Sequence, residues 1–185
     1  MIVDIGGGTA EIAVIALGGI VTNKSIRVAG DHFTDEIIEY MRKEHNLNAG
    51  ERTAELIKIE VGAAIQDLDN PPEEYSVHGR DMLTGIPKEI KVNYREIAHC
   101  LDKSISKIET AVLNTLETTP PELSADIFRT GIYLTGGGAL LRGLDKRLHA
   151  KTNLPIHVAE DPLRAVARGT GIALKNFDKF PFLIK

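Results

Sequence analysis

Two runs of three glycines, each directly after a short apolar segment, have the clearest chemical potential in this sequence. The first consists of Gly6, Gly7 and Gly8, and the second of Gly136, Gly137 and Gly138. Successive glycine amides can close around a phosphate because no side chain blocks their approach. A single such loop is equally well explained as a tight hairpin turn. Two of them, each ending an apolar strand, predict a phosphate or nucleotide site.

The surroundings of the two loops suggest different roles. Asp4 ends the apolar segment before the first loop, where its carboxylate could hold a divalent cation through water. No Gly-Lys-Ser/Thr follows that loop, so it is not a Walker phosphate loop. The second loop continues through Ala139 into an apparent helix, and a helix N-terminus favours an anionic or polar ligand.

Glu55 and Lys58 form a charged pair at positions i and i+3 of a predicted helix. Such a pair is usually a solvated surface ion pair, worth less than about 1 kcal/mol. The same spacing also lets both side chains point at one ligand. The residues alone leave both interpretations open.

Strand and helix patterns surround these residues along the whole chain. Alternation and turn residues predict strands at residues 2–5, 11–17, 20–28, 75–80, 89–92, 132–135 and 156–159. Gly18 and Gly19 are predicted to form the first hairpin turn. Apolar periodicity predicts helices at residues 31–46, 53–67, 93–119, behind the second glycine loop, and at 161–174.

Three helix starts carry capping signals. Asp31 and Asp161 are predicted N-caps, and Asn93 with Glu96 three residues later matches a capping box. The element order predicts an α/β core of residues 1–30 and 93–185, interrupted by a smaller α/β lobe at residues 31–92.

The composition argues against several classes of partner and binding site. The formal net charge of −4 gives no general attraction to nucleic acid or to an anionic membrane. The single cysteine, Cys100, excludes an internal disulfide and is interpreted as a packed thiol. The six histidines show no ligand spacing, so a structural zinc is not expected. Three arginines are interpreted as solvated: Arg142, Arg147 and Arg164.

The two loops in their context resemble a known superfamily. Residues 1–9 resemble the second phosphate motif of the actin, Hsp70 and sugar-kinase superfamily, and residues 134–143 resemble its adenosine motif. Further stretches resemble the MreB type of bacterial actin homologue, namely residues 25–31, 50–55, 80–85, 120–123 and 158–162. The resemblance covers nearly the whole chain except its last residues.

The resemblance implies the second half of an actin-like ATPase with a ribonuclease-H-like fold, binding ATP or GTP with Mg²⁺ in a cleft. Gly6, Gly7, Gly8 and Thr9 would then surround the β- and γ-phosphates, with Asp4 near the metal. Thr9 and Glu11 would lie near the attacking water. The ribose and base would meet Glu55, Lys58, Gly136, Gly137, Gly138 and Ala139. The two loops should approach each other to on the order of 10 Å, the reach of one nucleotide.

The same resemblance implies filaments of the full-length protein, which organise cell-wall synthesis in rod-shaped bacteria. It also implies a RodZ-like membrane adaptor, cell-wall elongation partners, and a cytoplasmic location at the inner membrane without insertion by this half. Phe177, Phe180 and Phe182 near the end are expected to pack or be disordered rather than to enter a membrane.

The abrupt start on a strand and a glycine loop suggests a chain without the first phosphate loop of the superfamily. We therefore expect no turnover from this chain alone. The alternative is a stand-alone, non-catalytic module that binds a nucleotide or a partner. A sugar-kinase or Hsp70-like protein is a more distant third, because no sugar pocket or peptide-binding domain is visible in the sequence.

Overall fold

The computed structural model describes residues 1–176, which form two β-sheets and six α-helices. The strands are β1 (Ile2–Ile5), β2 (Ala10–Ala16), β3 (Gly19–Ile26), β4 (Leu47–Asn48), β5 (Tyr75–Asp81), β6 (Pro87–Val92), β7 (Ile132–Thr135) and β8 (Ile156–Val158). The helices are α1 (Gly30–His45), α2 (Glu51–Val61), α3 (Tyr94–Glu117), α4 (Pro121–Thr130), α5 (Leu144–Thr152) and α6 (Ala165–Lys175).

The larger sheet has five strands in the order β3-β2-β1-β7-β8. β1, β2 and β3 form the predicted antiparallel meander, while β7 and β8 add parallel to β1. Side chains alternate across a strand. The inner face is fully buried, with Val3, Ile5, Ile12, Ile132 and Leu134 all at 0% exposure. The opposite face exposes apolar side chains that include Ile2, Ile15 and Tyr133.

Helix α3 covers the buried face of this sheet. Its start is the predicted capping box, in which the Asn93 side chain accepts from the amide of Glu96 and the Glu96 side chain accepts from the amide of Asn93. One side of the helix is buried and contacts β2, β3 and α1. The sequence signals for this helix were therefore sufficient for both its start and its packing face.

The smaller sheet consists of β4, β5 and β6, all antiparallel. Helix α1 contacts α2, α3 and β4, and α2 contacts β5. A buried set of side chains joins these helices to the small sheet, namely Met41, Leu47, Ile57 and Val77. Helices α1 and α2 therefore pack on the small sheet, and α1 connects it to α3 on the large sheet.

Several element boundaries differ from the predictions. The first hairpin turns at Leu17 and Gly18, both at positive φ, and not at Gly18 and Gly19. Positive φ at both positions is the pattern of a type I′ hairpin turn, whose backbone twist matches the twist of the two strands that it joins. Helix α1 is preceded by Ala29 as N-cap, so Asp31 lies in the first turn and not at the cap. Helix α2 ends at Val61 and not at residue 67.

Helix α4 was not predicted at all. Pro120 and Pro121 were interpreted as an end of α3, but Pro121 occupies the first turn of the next helix. Proline is tolerated there because its missing N–H would have no partner within the helix. At the other end, Asp161 makes no side-chain cap bond, and a short 3-10 helix (Pro162–Arg164) precedes α6.

Arg147 is largely buried, contrary to the prediction, and Arg142 is only partly exposed. The Arg147 side chain is only 15% exposed, and its Nε donates to Glu109 Oε1 at 2.7 Å. Burial opposes the charged form, but bonds to Glu109 and Asp102 outweigh it and raise the pKa of Arg147. Arg142 donates to the carbonyl of Ile59 at 2.9 Å. Both arginines fasten α5 and the chain just before it to segments far away in sequence.

Cys100 lies in α3, half-buried against the core, as predicted for a packed thiol. Burial, followed by the nearby carboxylates of Glu36, Glu39 and Glu96, raises the pKa of Cys100 to about 12. Across residues 1–176, no helix has both the length and the apolar character to cross a membrane. The predictions for Phe177, Phe180 and Phe182 lie outside the described residues.

Candidate functional site

A cleft of about 990 Å³ opens between the two glycine loops, α1, α2 and the start of α6. This volume is at the upper end of the range for small-molecule sites, about 300–1,000 Å³. Polar lining residues include Asp4, Asp31, Glu51, Arg52, Glu55 and Lys58. Apolar ones include Phe33, Leu56, Ile59, Leu140, Leu163 and Val166. The cleft is therefore lined by the glycine loops and by both charged and apolar side chains.

The first glycine loop is fastened to the start of α1. The Gly30 amide donates to the carbonyl of Gly6 at 3.0 Å, and the Asp31 amide donates to the carbonyl of Gly7 at 2.8 Å. A Cβ at Gly30 would lie 3.2 Å from the Gly6 carbonyl oxygen, so the approach is close. Within residues 1–176, the amides of Gly7 and Gly8 donate to no protein acceptor. These exposed amides are available to an anion.

Asp4 lies at the end of β1, in register with Thr135 on one side and Glu11 on the other. Burial, and secondarily the charge of Glu11, raises the pKa of Asp4. The protein environment therefore disfavours the carboxylate form. A cation at this end of the cleft would offset that cost, and a carboxylate with backbone and water oxygens suits Mg²⁺.

The second glycine loop lies directly against the end of β1. Gly136 has φ +79 and ψ 170, a backbone region that is essentially restricted to glycine. A Cβ there would lie 2.3 Å from the Ile5 carbonyl oxygen and 2.5 Å from Asp4 Oδ1. A Cβ at Gly138 would meet the Ile5 side chain at 2.3 Å. Only glycine lets this loop approach Asp4 and share a cleft with the first loop.

The helix expected behind the second loop is not an α-helix at that point. A 3-10 helix (Gly137–Leu140) comes first, and α5 begins only at Leu144. The argument from an α-helix N-terminus and its dipole was therefore wrong for this loop. Gly136, Gly137 and Gly138 still line the cleft, so close backbone approach is the property they supply.

Glu55 and Lys58 face the cleft from α2 and are bonded to each other, with Nζ to Oε2 at 2.6 Å. Lys58 is 15% exposed, which a solvated surface pair would not be. Burial opposes ionisation of Glu55, but hydrogen bonds from Lys58 and Thr34 outweigh it and lower the pKa of Glu55. The pair is thus an ordered, charged part of the cleft wall.

Four predicted site residues lie outside the cleft wall: Gly8, Thr9, Glu11 and Ala139. The Glu11 carboxylate accepts a hydrogen bond from Ser25 Oγ at 2.6 Å, next to Asp4 across the strand pair. The Thr9 carbonyl accepts from the amide of Gly6 at 3.0 Å, which closes the first loop. Gly8, Thr9 and Glu11 are exposed at the first loop or just after it, whereas Ala139 is buried in the 3-10 helix that follows the second loop.

Other lining residues were missed in the sequence. Glu51, Arg52, Leu56 and Ile59 line the cleft from α2 beside Glu55. Glu51, Arg52 and Ile59 lie three or four residues from Glu55, and Leu56 lies four residues after Arg52 and three before Ile59, so all of them share one side of the helix. That spacing was the signal that could have identified them. Gly30 and Phe33 carry no such signal, because their position depends on the contact between α1 and the first loop.

Comparison with known proteins decides the family. The sequence matches the MreB/Mbl protein family over residues 1–181. The chain belongs to the MreB/Mbl family. It is 51% identical over 181 residues to the cell shape-determining protein Mbl of Bacillus subtilis, covering 98% of this chain and 54% of that protein. It is 47% identical over 178 residues to MreB of Escherichia coli K12, covering 96% of this chain and 51% of that protein.

Solved structures agree with the family assignment. MreB5 of Spiroplasma citri bound to AMPPNP is similar with a TM-score of 0.90 and 44% identity, covering 96% of this chain and 53% of that one. A non-polymerising mutant of MamK bound to AMPPNP has a TM-score of 0.72 at 20% identity, covering 88% of this chain and 50% of that one. The second likeness concerns the fold alone.

The resemblance to MreB-type proteins and the mixed α/β, actin-like fold are therefore confirmed. This MreB/Mbl chain spans about half the length of the relatives it matches. In this MreB/Mbl fold, Asp4 and both glycine loops border one cleft together with Glu55 and Lys58.

Proposed function

We propose that the chain forms the nucleotide-binding second half of a filament-forming, cell shape-determining cytoskeletal protein. The observation that carries this proposal is the single cleft lined by both glycine loops and Asp4. The two glycine loops lie beside each other, and the second loop approaches β1 so closely that position 136 has no room for a side chain. An extended ligand with phosphates at one end and an apolar ring at the other suits such a cleft.

In this proposal the ligand is ATP or GTP with Mg²⁺. The free amides of Gly7 and Gly8, together with Gly6 and Thr9, hold the β- and γ-phosphates, and Asp4 holds the metal through water. Bound Mg²⁺ would neutralise the phosphate charge. The ribose and base lie against Glu55, Lys58 and the second loop, from Gly136 to Ala139. Thr9 and Glu11 border the position of an attacking water.

We also propose two lobes, residues 1–30 with 93–185 and residues 31–92. The large sheet belongs to the first lobe and the small sheet to the second. The cleft draws its walls from both ranges, since Asp4 and Gly136 come from the first and Glu55 from the second. A ligand in the cleft would therefore contact both lobes.

The outer face of the large sheet supports the proposal that a further half packs there. Ile2, Ile15 and Tyr133 are 37%, 49% and 49% exposed on that face. Helix α6 buries none of its residues within the part of the chain that the structure describes. Parallel strands are normally covered on both faces. The chain spans about half of its relatives, so the remaining half is the natural cover.

The second candidate is a non-catalytic module that binds nucleotide or a partner without turnover. Exposure of Gly7, Gly8 and Thr9 favours it for the isolated chain, because phosphates there would face water. The first candidate describes the complete protein, and the second describes how this chain behaves alone. The two are separated by whether this chain alone hydrolyses nucleotide.

We expect the isolated chain to bind ADP and AMPPNP weakly and about equally, and to release no phosphate from ATP. Loss of a single oxyanion donor costs an enzyme about 2.7–4 kcal/mol of transition-state stabilisation. A half-open site lacks several such groups. Calorimetry with ADP and AMPPNP measures the binding, and a phosphate-release assay with Mg²⁺ measures turnover.

A matched pair of α2 variants tests whether the cleft is the binding site. Glu55→Gln should weaken ADP binding about tenfold, the effect of losing one charge-assisted hydrogen bond. Glu60→Gln should leave ADP binding unchanged, because Glu60 is exposed on the same helix and does not line the cleft.

The prediction that this chain alone does not hydrolyse ATP has its own contrary outcome. Metal-dependent turnover that Asp4→Ala abolishes would show that this chain is a complete enzyme.

We propose that filaments need the full-length protein, which sits in the cytoplasm at the inner membrane and organises cell-wall synthesis. The isolated chain should stay in the supernatant on ultracentrifugation with ATP and Mg²⁺. It should still bind a RodZ-like adaptor domain in a pull-down. The comparison variant is Leu17→Ser, which should not affect folding because Leu17 is fully exposed at the tip of the β2–β3 hairpin. Pelleted filaments of this chain alone would contradict the proposal, as would failure to retain the adaptor.

A further inference from the structure

A chain of hydrogen bonds connects α2 to the first glycine loop through the start of α1. Lys58 Nζ donates to the carbonyl of Gly30 at 2.8 Å, and the Gly30 amide donates to the carbonyl of Gly6 at 3.0 Å. The next amide, that of Asp31, donates to Gly7. The peptide groups at Gly30 are thus held from both sides, by α2 and by the loop.

The Lys58 ammonium uses its full donor capacity within the protein. It has three N–H groups. Three acceptors surround it, the Gly30 carbonyl at 2.8 Å, Thr34 Oγ1 at 2.9 Å and Glu55 Oε2 at 2.6 Å. With no N–H left over, Lys58 affects a ligand by holding the cleft wall and through its charge.

The Thr34 hydroxyl lies at the centre of this cluster and is 4% exposed. It accepts from Lys58, and its single proton lies within reach of two acceptors, Glu55 Oε2 at 2.9 Å and the Gly30 carbonyl at 3.0 Å. Glu55 Oε2 therefore lies within hydrogen-bond distance of both the Thr34 hydroxyl and the Lys58 ammonium. Its other oxygen, Oε1, receives none within residues 1–176 and stays available to the cleft.

We propose that Thr34 is a positioning residue, whose hydroxyl fixes the Glu55–Lys58 pair against Gly30 and so orders the first glycine loop. This inference rests on the proposed nucleotide site, and it deepens that proposal by linking the nucleoside end of the cleft to its phosphate end. A ligand that contacts Glu55 Oε1 would bind a carboxylate whose other oxygen contacts Thr34 and Lys58. Lys58 in turn is bonded to Gly30, and Gly30 to Gly6 in the first loop.

A second buried threonine in the same chain makes a helical hydrogen bond away from the cleft and serves as a comparison for Thr34. Thr115 in α3 is also buried, at 2% exposure, and its hydroxyl donates to the carbonyl four residues earlier. Thr34 makes the same type of contact, to Gly30 at 3.0 Å. Thr115 does not line the cleft. Thr115→Val is therefore a matched control for removing a buried helical hydroxyl.

The test measures amide hydrogen exchange in the ligand-free chain at Gly6, Gly30 and Asp31. Thr34→Val keeps the shape but removes the hydroxyl, and it should accelerate exchange at these amides about tenfold relative to the wild type. Thr34→Ser restores the hydroxyl and should return exchange to the wild-type rate. Thr115→Val should leave these three amides unchanged.

Unchanged exchange at Gly30 in Thr34→Val, or equal acceleration in Thr34→Val and Thr115→Val, would overturn the inference. If Thr34→Val does not fold, Lys58→Met breaks the same contact to Gly30 and must accelerate the same amides for the inference to stand. ADP calorimetry is the second arm, with about tenfold weaker binding to Thr34→Val and wild-type binding to Thr34→Ser. A wild-type chain without any ADP binding would refute the proposed function, while the exchange arm would still decide the role of Thr34.

Discussion

Gly136→Ala is expected to lower the free energy of unfolding by about 2–6 kcal/mol, combining backbone strain with a steric clash. Gly136 has φ +79 and ψ 170, which a residue with a Cβ adopts only under strain. The added carbon would also lie 2.3 Å from the backbone oxygen of Ile5, in the central strand of the large sheet. Backbone in a central strand has little room to move.

Urea unfolding followed by circular dichroism measures this effect, with Gly171→Ala as the matched control. Gly171 lies in α6, and a Cβ there would have no heavy atom within 4 Å. Because alanine favours a helix over glycine by up to about 1 kcal/mol, Gly171→Ala should be neutral or slightly stabilising. Equal stabilities of the two variants would show that the second glycine loop does not press on β1 as described.

Gly136→Ala would also change the candidate site around Asp4. A Cβ at position 136 would lie 2.5 Å from Asp4 Oδ1, so the loop and the carboxylate compete for one space. Any variant that folds must displace either the second loop or the Asp4 side chain. We therefore attribute Gly136 to close packing against Ile5 and Asp4, and Gly138 to close packing against the Ile5 side chain.

Elements with strong local signals were predictable from the sequence. The meander, the capping box at Asn93 and Glu96, and both glycine loops depend on neighbouring residues, whose types are visible in the sequence. Boundaries were less predictable. Helix α4 was missed because Pro121 can end one helix or begin the next, and only the three-dimensional path of the chain distinguishes the two.

The cleft itself could be predicted only in part. Asp4, Glu55 and the glycines were identified from residue type and from the resemblance to MreB-type proteins. Thr34 was not identified, because a buried threonine in a helix has no sequence signature. Its importance depends on Lys58 and Glu55, which lie 24 and 21 residues further along the chain. Contacts across such separations are set by packing and not by local pattern.

Arg147→Met is expected to lower the free energy of unfolding by about 3 kcal/mol, the lower end of the range for breaking a buried ion pair. Glu109 is 9% exposed and Arg147 is 15% exposed. Without the guanidinium, the Glu109 carboxylate would be unpaired and largely shielded from water. Arg147 also donates to the carbonyl of Ala64 at 3.0 Å, which fastens the chain after α2 to α5. Its removal should therefore loosen the contact between α5 and the chain after α2.

Arg129→Met is the matched control, since Arg129 pairs with Asp126 at 2.6 Å while both side chains are more than half exposed, at 76% and 56%. Exposed pairs contribute about 0–1 kcal/mol, because water already solvates both charges. Urea unfolding of both variants therefore compares the same chemical change in two environments. If Arg147→Met were as mild as Arg129→Met, water would have to reach Glu109 once the guanidinium is gone. A double variant, Arg147→Met with Glu109→Gln, separates these cases, because it should recover part of the lost stability only if the carboxylate is stranded in a dry site.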